Sequence, residues 1–308
     1  MKFFIGITDQ AWFDYLSSLS PHDEVNFWQP SGKTTFRALQ PGELFLFKLH
    51  SPYDYIAGGG FFAHSTLLPI SLAWDAFQEK NGANSLLEMR QRIAKYRRTE
   101  DLFEDFIIGC ILLEQPFFLD KSEWIPVLEW SPNIVRGKRV EMDSATGKYF
   151  WSKLQLILSK RQLTREPDLK TEEERARYGK ETLIKPRMGQ GSFKIIVTDA
   201  YCRSCAITQE RVLPVLEAAH IKPYSDDGPH EVRNGVLLRS DMHKLFDRGY
   251  LTITPKLGIE VSRRIKEEFD NGMYYFTFHG QQINLPQRPV DQPSGEFLTW
   301  HNENKFKG

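Results

Sequence analysis

Apolar and polar positions follow two rhythms along this chain, and each change of rhythm marks an element. "FFIGIT" near the N-terminus is almost wholly apolar and predicts a strand. "DQAWFDYLSSL" has apolar residues at helical spacing behind an aspartate, which predicts a helix capped by Asp9. "QPGELFLFKLH" sets a Pro-Gly turn before an alternating strand pattern. "DYIAGGGFFAHS" reads as another strand, with Gly58, Gly59 and Gly60 allowing a bulge or a sharp bend. "SLLEMRQRIAKYRR" returns to helical spacing, "IIGCILLEQPFFL" is a buried strand with a turn, and "WSPNIVRGKRVEM" is a loop leading into a strand. Strands dominate, which predicts a small β-barrel decorated by helices.

The rhythm then changes. "KYFWSKLQLILSKRQL" is helical, and the charge-dense "TREPDLKTEEERARYGKE" after it predicts a solvated hinge. With 308 residues, about two domains are expected. The boundaries predicted are 1–145, a helical linker over 146–184, and a second domain over 185–308. In that second domain "PVLEAAHI" predicts a strand with Leu216, Ala218 and His220 on one face and Glu217 and Ala219 on the other. "KPYSDDGPHEVR" is a loop, and "NGVLLRS" a tight turn and a second strand. "SDMHKLFDRG" is a short helix, with Ser240 or Asp241 as its cap and Gly249 as its end. His243 and Asp247 are four apart on it, so both reach one spot, while Met242, Leu245 and Phe246 bury the other side.

Composition narrows the picture. A hydrophobic content of 41% with 13% aromatics suffices for packed cores. No run of about 18 apolar residues is present, so no membrane helix is expected. The N-terminus lacks a signal-peptide cleavage site, and three cysteines cannot make a disulfide framework, so the cytoplasm is the expected location. Charge is uneven: residues 1–145 hold 14 Lys+Arg against 19 Asp+Glu, and residues 146–308 hold 26 against 21. A mildly basic second half fits a polyanionic partner.

Histidine, asparagine and histidine on a strand–loop–strand–helix suit phosphodiester hydrolysis. That reaction needs a base to deprotonate water and a cation to neutralise the phosphate and the leaving oxygen. A neutral imidazole is a suitable base, and an asparagine can tie the loop back to the strand. At "EAAHIKPY", "RNGVLL" and "HKLFDRGYLTI", behind "RMGQGSFKIIVTDAYCRSCAIT", the sequence resembles the HNH endonuclease family with its ββα-metal fold, over roughly residues 187–255. The resemblance implies His220 as general base, Asn234 as orienting residue and His243 as metal ligand. It implies a divalent metal, Mg2+ first and Mn2+ as the alternative. Many family members place Asp or His just before the base, where this chain has Ala219; Glu217 and Asp247 are the substitutes. Many relatives also build a structural zinc site from two cysteine pairs. Here Cys202 and Cys205 have no second pair and Cys110 lies in the other domain, so no structural zinc and two buried thiols are expected. His230, in the loop, reads as solvated surface.

The first domain adds a second resemblance. "DEVNFWQPSGKTTFRALQPGELFLFKLHSPYDYIAGGGFFAH", with the opening strand and helix, resembles the PUA superfamily, particularly its EVE and SRA-like modified-base readers, over about residues 1–140. Such readers flip a base into an aromatic pocket. The implied pocket residues are Trp28, Trp74 and Trp130 for stacking, Ser31 and Asn133 for the base edge, and Lys33 and Arg136 for phosphates. The expected protein is an α+β, modification-dependent (type IV-like) restriction endonuclease acting on double-stranded DNA with 5-methyl or 5-hydroxymethyl cytosine. A homodimer is left open. Two other classes also stay open: an HNH toxin or nicking enzyme with a partner-binding N-terminal domain, and a DNA-binding protein without catalysis, which Ala219 motivates.

Overall fold

Phe3, Ile5, Leu46 and Ile56 are all at most 2% exposed, yet the sequence spreads them over three separate strands. Their burial, at about 1.5–3 kcal/mol for each large apolar side chain, is what draws those strands together. In the computed structural model of this chain, the described residues are 2–164 and 189–308, without the side chains of 158–164. The charge-dense hinge predicted from residue 165 onward lies outside them. The chain divides into two compact units, Met1–Pro186 and Arg187–Gly308.

The first unit runs β1 (Lys2–Thr8), α1 (Gln10–Ser18), β2 (Glu24–Gln29), β3 (Leu44–Leu49), β4 (Tyr55–Pro69), α2 (Ile70–Phe77), α3 (Leu86–Arg97), β5 (Ile107–Phe118), β6 (Ile125–Pro126), β7 (Gly137–Glu141) and α4 (Ala145–Thr164). Its sheet has the order β2-β5-β4-β3-β1-β7, with β6 on β4, and β1 pairs with β3 in parallel. The fold class is α+β. Among the described residues no ladder joins β2 to β7, so the sheet expected as a barrel pairs as an open path. Asp9 caps α1 as predicted, its Oδ1 accepting from the Trp12 N–H at 3.0 Å. Gly58 and Gly59 lie where a Cβ would strike the backbone oxygens of Phe117 and Phe45 at 2.3 and 2.6 Å, so bare backbone there lets three strands close up. The register of β4 on β5 slips between Gly59 and Phe61, at the predicted bulge. The helix read as linker begins as part of this unit: Phe150 and Leu154 are each 2% exposed and pack in one core with Phe3, Ile5 and Val140.

The second unit comprises α5 (Gln190–Ala200), β8 (Leu216–His220), β9 (Gly235–Arg239), α6 (Ser240–Asp247), β10 (Leu251–Ile253), β11 (Ile259–Val261), α7 (Arg264–Phe269), α8 (Met273–Phe276) and α9 (Gly295–Asn304). β8 and β9 form an antiparallel hairpin in which His220 faces Gly235. A Cβ on Gly235 would meet Val197 Cγ2 at 2.5 Å and Phe193 Cζ at 3.0 Å, so the missing side chain seats α5 against the hairpin. Met242 and Phe246 bury α6 as expected. Its cap differs: the cap position falls on Arg239, Ser240 Oγ donates to the Val215 carbonyl, and Asp241 holds Arg239 through two hydrogen bonds of 2.7 and 2.8 Å. Gly249 follows the helix with φ +74°, the left-handed conformation that suits glycine. From the other side, His301 stacks on Phe246 at 3.8 Å and hydrogen-bonds with Thr252 Oγ1 and with the Phe246 carbonyl oxygen. This unit holds 16 Lys+Arg and 15 Asp+Glu, so most of the positive excess of the second half falls in residues 146–186, with 10 Lys+Arg against 6 Asp+Glu.

One pair in the first unit is electrostatically opposed. Glu24 and Glu114 face each other across β2 and β5, 0% and 6% exposed. Lys80 reaches Glu24 at 3.2 Å and Asp23 at 2.6 Å. Burial, then the charge of Glu24, push the Glu114 carboxyl up to about 7 from its ordinary 4.5. The folded unit therefore holds a proton that the unfolded chain releases, and its stability falls as pH rises from the ordinary carboxyl range through about 7. Calorimetry of the first unit's transition between pH 5 and 7.5 should show that fall, and Glu114→Gln should flatten it; an unchanged slope would refute the assignment.

Candidate active site and N-terminal cavity

The loop between β8 and β9 is closed by one side chain. Asn234 is 0% exposed. Its Oδ1 accepts from the Lys222 N–H at 2.9 Å, and its Nδ2 donates to the carbonyls of Lys222 and Pro229, each at 2.9 Å. The Asn234 carbonyl also takes the Ile221 N–H at 2.9 Å. An amide is suited to this place because it offers an acceptor and two donors on one planar group.

That closure fixes two histidines. His220 lies flat on Phe193 of α5, ring centroids 3.9 Å apart at 10°. Its Nε2 is 3.0 Å from Nδ1 of His230, whose own ring stacks on Tyr224 at 4.9 Å. Nδ1 of His220 has no hydrogen-bond partner among the described residues. Burial, then the neighbouring His230 and His243, bring the His220 pKa down to about 4. His230, read from the sequence as solvated surface, is instead built into this ring cluster.

His243 has the opposite environment. Its Nδ1 donates to Glu217 Oε2 at 2.6 Å, and its Nε2 lies 3.2 Å from Asp247 Oδ2. Burial works against its charge, but the hydrogen bonds and charges of Asp247 and Glu217 prevail and hold its pKa above the ordinary value. The structure thus brings together His220, His243, Glu217 and Asp247, with Asn234 behind them. Ala219 is fully buried in the core and offers no ligand. Among the described residues, no group of three or more His, Cys, Asp or Glu is arranged to hold a metal ion. The donors for one are adjacent, as an imidazole and two carboxylates, but each carboxylate is turned to a ring nitrogen of His243. A cation would have to displace a proton from that ring, which makes its binding pH-dependent.

The thiols differ from expectation. Cys205 is buried, its Sγ accepting from the Thr208 and Arg239 N–H groups at 3.4 and 3.3 Å, whereas Cys202 is exposed.

The first unit contains a cavity of about 190 Å³. Trp12, Phe27, Trp28 and Tyr96 supply aromatic wall, and Asp9, Gln29, Ser31, His50 and Arg136 the polar groups. The indole N–H groups of Trp12 and Trp28 point away to the carbonyls of Asn26 and Asn81, so their rings are left as apolar surface. The side chains of Gln29, Ser31, His50 and Arg136 form no hydrogen bond or ion pair among the described residues. Asp9 is committed to the Trp12 N–H and the Tyr96 hydroxyl, and burial followed by Asp9 raises the Tyr96 pKa far above its usual range. Of the residues predicted for a base pocket, the structure brings Trp28, Ser31 and Arg136 to this cavity and leaves Trp74, Trp130, Asn133 and Lys33 away from it. Trp74 is half-buried on α2. Trp130 lies between Lys48 and Lys138, 4.8 and 5.0 Å from its centroid. Asn133 is exposed, and Lys33 borders a surface depression with Thr34, Thr35 and Arg37. Gln29, His50 and Tyr96 went unmarked in the sequence because each sits at an element end with no local motif.

These sites can be set beside known proteins. Residues 205–254 match the family model described as HNH endonuclease, so the chain carries an HNH endonuclease domain. No match was found among curated proteins. Structural neighbours include the crystal structure of ASCH from Zymomonas mobilis, with TM-score 0.32, 9% identity, and coverage of 48% of this chain and 94% of that one. Two point mutants of the same protein align similarly, with TM-scores of 0.32 and 0.31, 9% identity, and 49% of this chain against 98% and 95% of theirs. No helix among the described residues is long and apolar enough to cross a membrane.

Asn234→Ala removes the partners of one N–H and two carbonyls in a buried loop. Unsatisfied groups cost on the order of 1–3 kcal/mol each, and water entering the gap lowers the sum. Denaturant unfolding of the second unit should show a loss of about 2 kcal/mol or more; a loss under about 0.5 kcal/mol would deny the amide its closing role.

Proposed function

We propose that this protein is a modification-dependent DNA endonuclease, with the HNH unit cutting phosphodiester bonds and the first unit reading a modified cytosine, 5-methyl or 5-hydroxymethyl. The observation that carries it is the unpartnered Nδ1 of a neutral His220 beside the His243–Glu217–Asp247 cluster. An uncharged imidazole has a lone pair for a water proton. Its depressed pKa is lifted when phosphate binds, because an adjacent anion favours the protonated ring. His243, Glu217 and Asp247 would hold a divalent cation, Mg2+ or Mn2+, which when bound supplies positive charge for the phosphate and the leaving oxygen. Asn234 keeps the loop closed behind the base.

The cavity supports the reader assignment. A flipped base stacks on aromatic faces and is told apart by hydrogen bonds to its edge. The cavity supplies both, with Trp28 and Tyr96 as faces and Gln29, Ser31 and His50 as edge groups. Arg136, exposed at its rim, is placed for a phosphate. The partner is double-stranded DNA carrying modified bases.

Two experiments test this reading. His220→Ala in the folded full-length chain should cut about 10²–10⁴-fold more slowly while binding DNA as before; full cleavage would remove the base assignment. The same plasmid from methylating, hydroxymethylating and modification-free hosts, offered with Mg2+ or Mn2+, should be cut only when modified. Gln29→Ala should lower that preference about tenfold, equivalent to the 1–3 kcal/mol a small group contributes in a pocket, and Trp74→Ala should leave it intact. Equal cutting of all three plasmids by the unaltered protein would sink the reader.

A further inference from the structure

His220 has two ring nitrogens, and a neutral imidazole can carry its hydrogen on either. Only the form with hydrogen on Nε2 leaves Nδ1, the unpartnered nitrogen, with a lone pair. Nothing in a strand position selects that form. The neighbour of Nε2 does: His230 Nδ1 is 3.0 Å away. If His230 accepts there, His220 must donate, and its lone pair is directed out of the ring cluster at Nδ1.

We propose that His230 is the positioning residue for the general base, accepting the Nε2 hydrogen of His220 and thereby holding the tautomer in which Nδ1 takes the water proton. The assignment rests on the nuclease reading above and deepens it. Each ring is held by its own partner, which makes the contact a built one. Phe193 supports the face of His220 at 3.9 Å, and Tyr224 that of His230 at 4.9 Å. The two imidazoles meet nearly at right angles, at 69°, so the edge of one addresses the other. The loop that carries His230 and Tyr224 is closed by Asn234 through Lys222 and Pro229, the residue just before His230. In the reaction the water O–H bond breaks and its proton goes to Nδ1. The resulting imidazolium keeps its Nε2 hydrogen on His230, so the positive charge is spread over a hydrogen-bonded pair without net proton loss. The titratable groups acting on His220 are His230, His243 and Asp247.

The test compares His230→Leu with His230→Asn in the full-length chain. An asparagine amide oxygen falls near the place of a histidine Nδ1 and can accept the same hydrogen. His230→Leu should lower kcat about 10²-fold with little change in KM, the wrong tautomer being the whole defect. His230→Asn should recover at least tenfold over His230→Leu. Nitrogen NMR of the His220 ring supplies a readout independent of cleavage: hydrogen on Nε2 in the unaltered protein and in His230→Asn, a mixture in His230→Leu. A His220 ring that keeps hydrogen on Nε2 in a folded His230→Leu protein would overturn the proposal, as would an Asn variant as slow as the Leu variant. If the unaltered protein cuts no DNA with Mg2+ or Mn2+, the nuclease reading fails, and the NMR comparison still decides the tautomer role.

Discussion

The constraint on which the nuclease unit depends is the closure of one loop by one amide. Asn234 satisfies a backbone N–H and two carbonyls that would otherwise be left in a dry interior. Because the loop cannot open without exposing all three, His220 at its start and His230 near its middle keep a fixed separation. Gly235, next in sequence, leaves room for Phe193 and Val197. The Asn-Gly pair thus does two separate jobs: the amide shapes the loop, and the glycine admits the helix whose Phe193 supports the His220 ring.

Two histidines of one site are driven in opposite directions by their surroundings. Both are withdrawn from water, which disfavours the charged ring. Around His220 the nearest titratable neighbour is a second imidazole, and the ring stays neutral. Around His243 two carboxylates sit at hydrogen-bond distance, and their charge outweighs burial. One ring is thereby suited to accept a proton, and the other is surrounded by donors suited to a cation. A separation of roles of this kind depends on which side chains the fold brings within a few ångströms.

The first unit accommodates polar groups by the same logic at a larger scale. Its strands bring Glu24 and Glu114 face to face in the sheet, and Lys80 offsets only part of the repulsion. Its cavity gathers residues from β1, α1, β2, the end of β3, α3 and the segment before β7. The apolar wall comes from rings whose polar atoms are already satisfied elsewhere, while Gln29, Ser31, His50 and Arg136 remain available to a ligand.

In the second unit the sequence by itself determined a local core of three elements and the HNH likeness that they carry. Periodicity marked β8, β9 and α6, and the order of His220, Asn234 and His243 within a short span was enough for the reading, because a hairpin and the helix after it are local structures. Spacing also put Asp247 beside His243, since residues four apart share a helix face. The tertiary structure alone decided the rest. It placed His230 against His220 across a loop whose path no pattern specifies, left Cys202 in water while burying Cys205, and turned Trp74 and Trp130 away from the cavity that Trp28 lines. It drew the start of α4 into the first core. These outcomes depend on contacts between residues far apart in the chain, where a side chain's neighbours follow from packing and not from its position in a local motif.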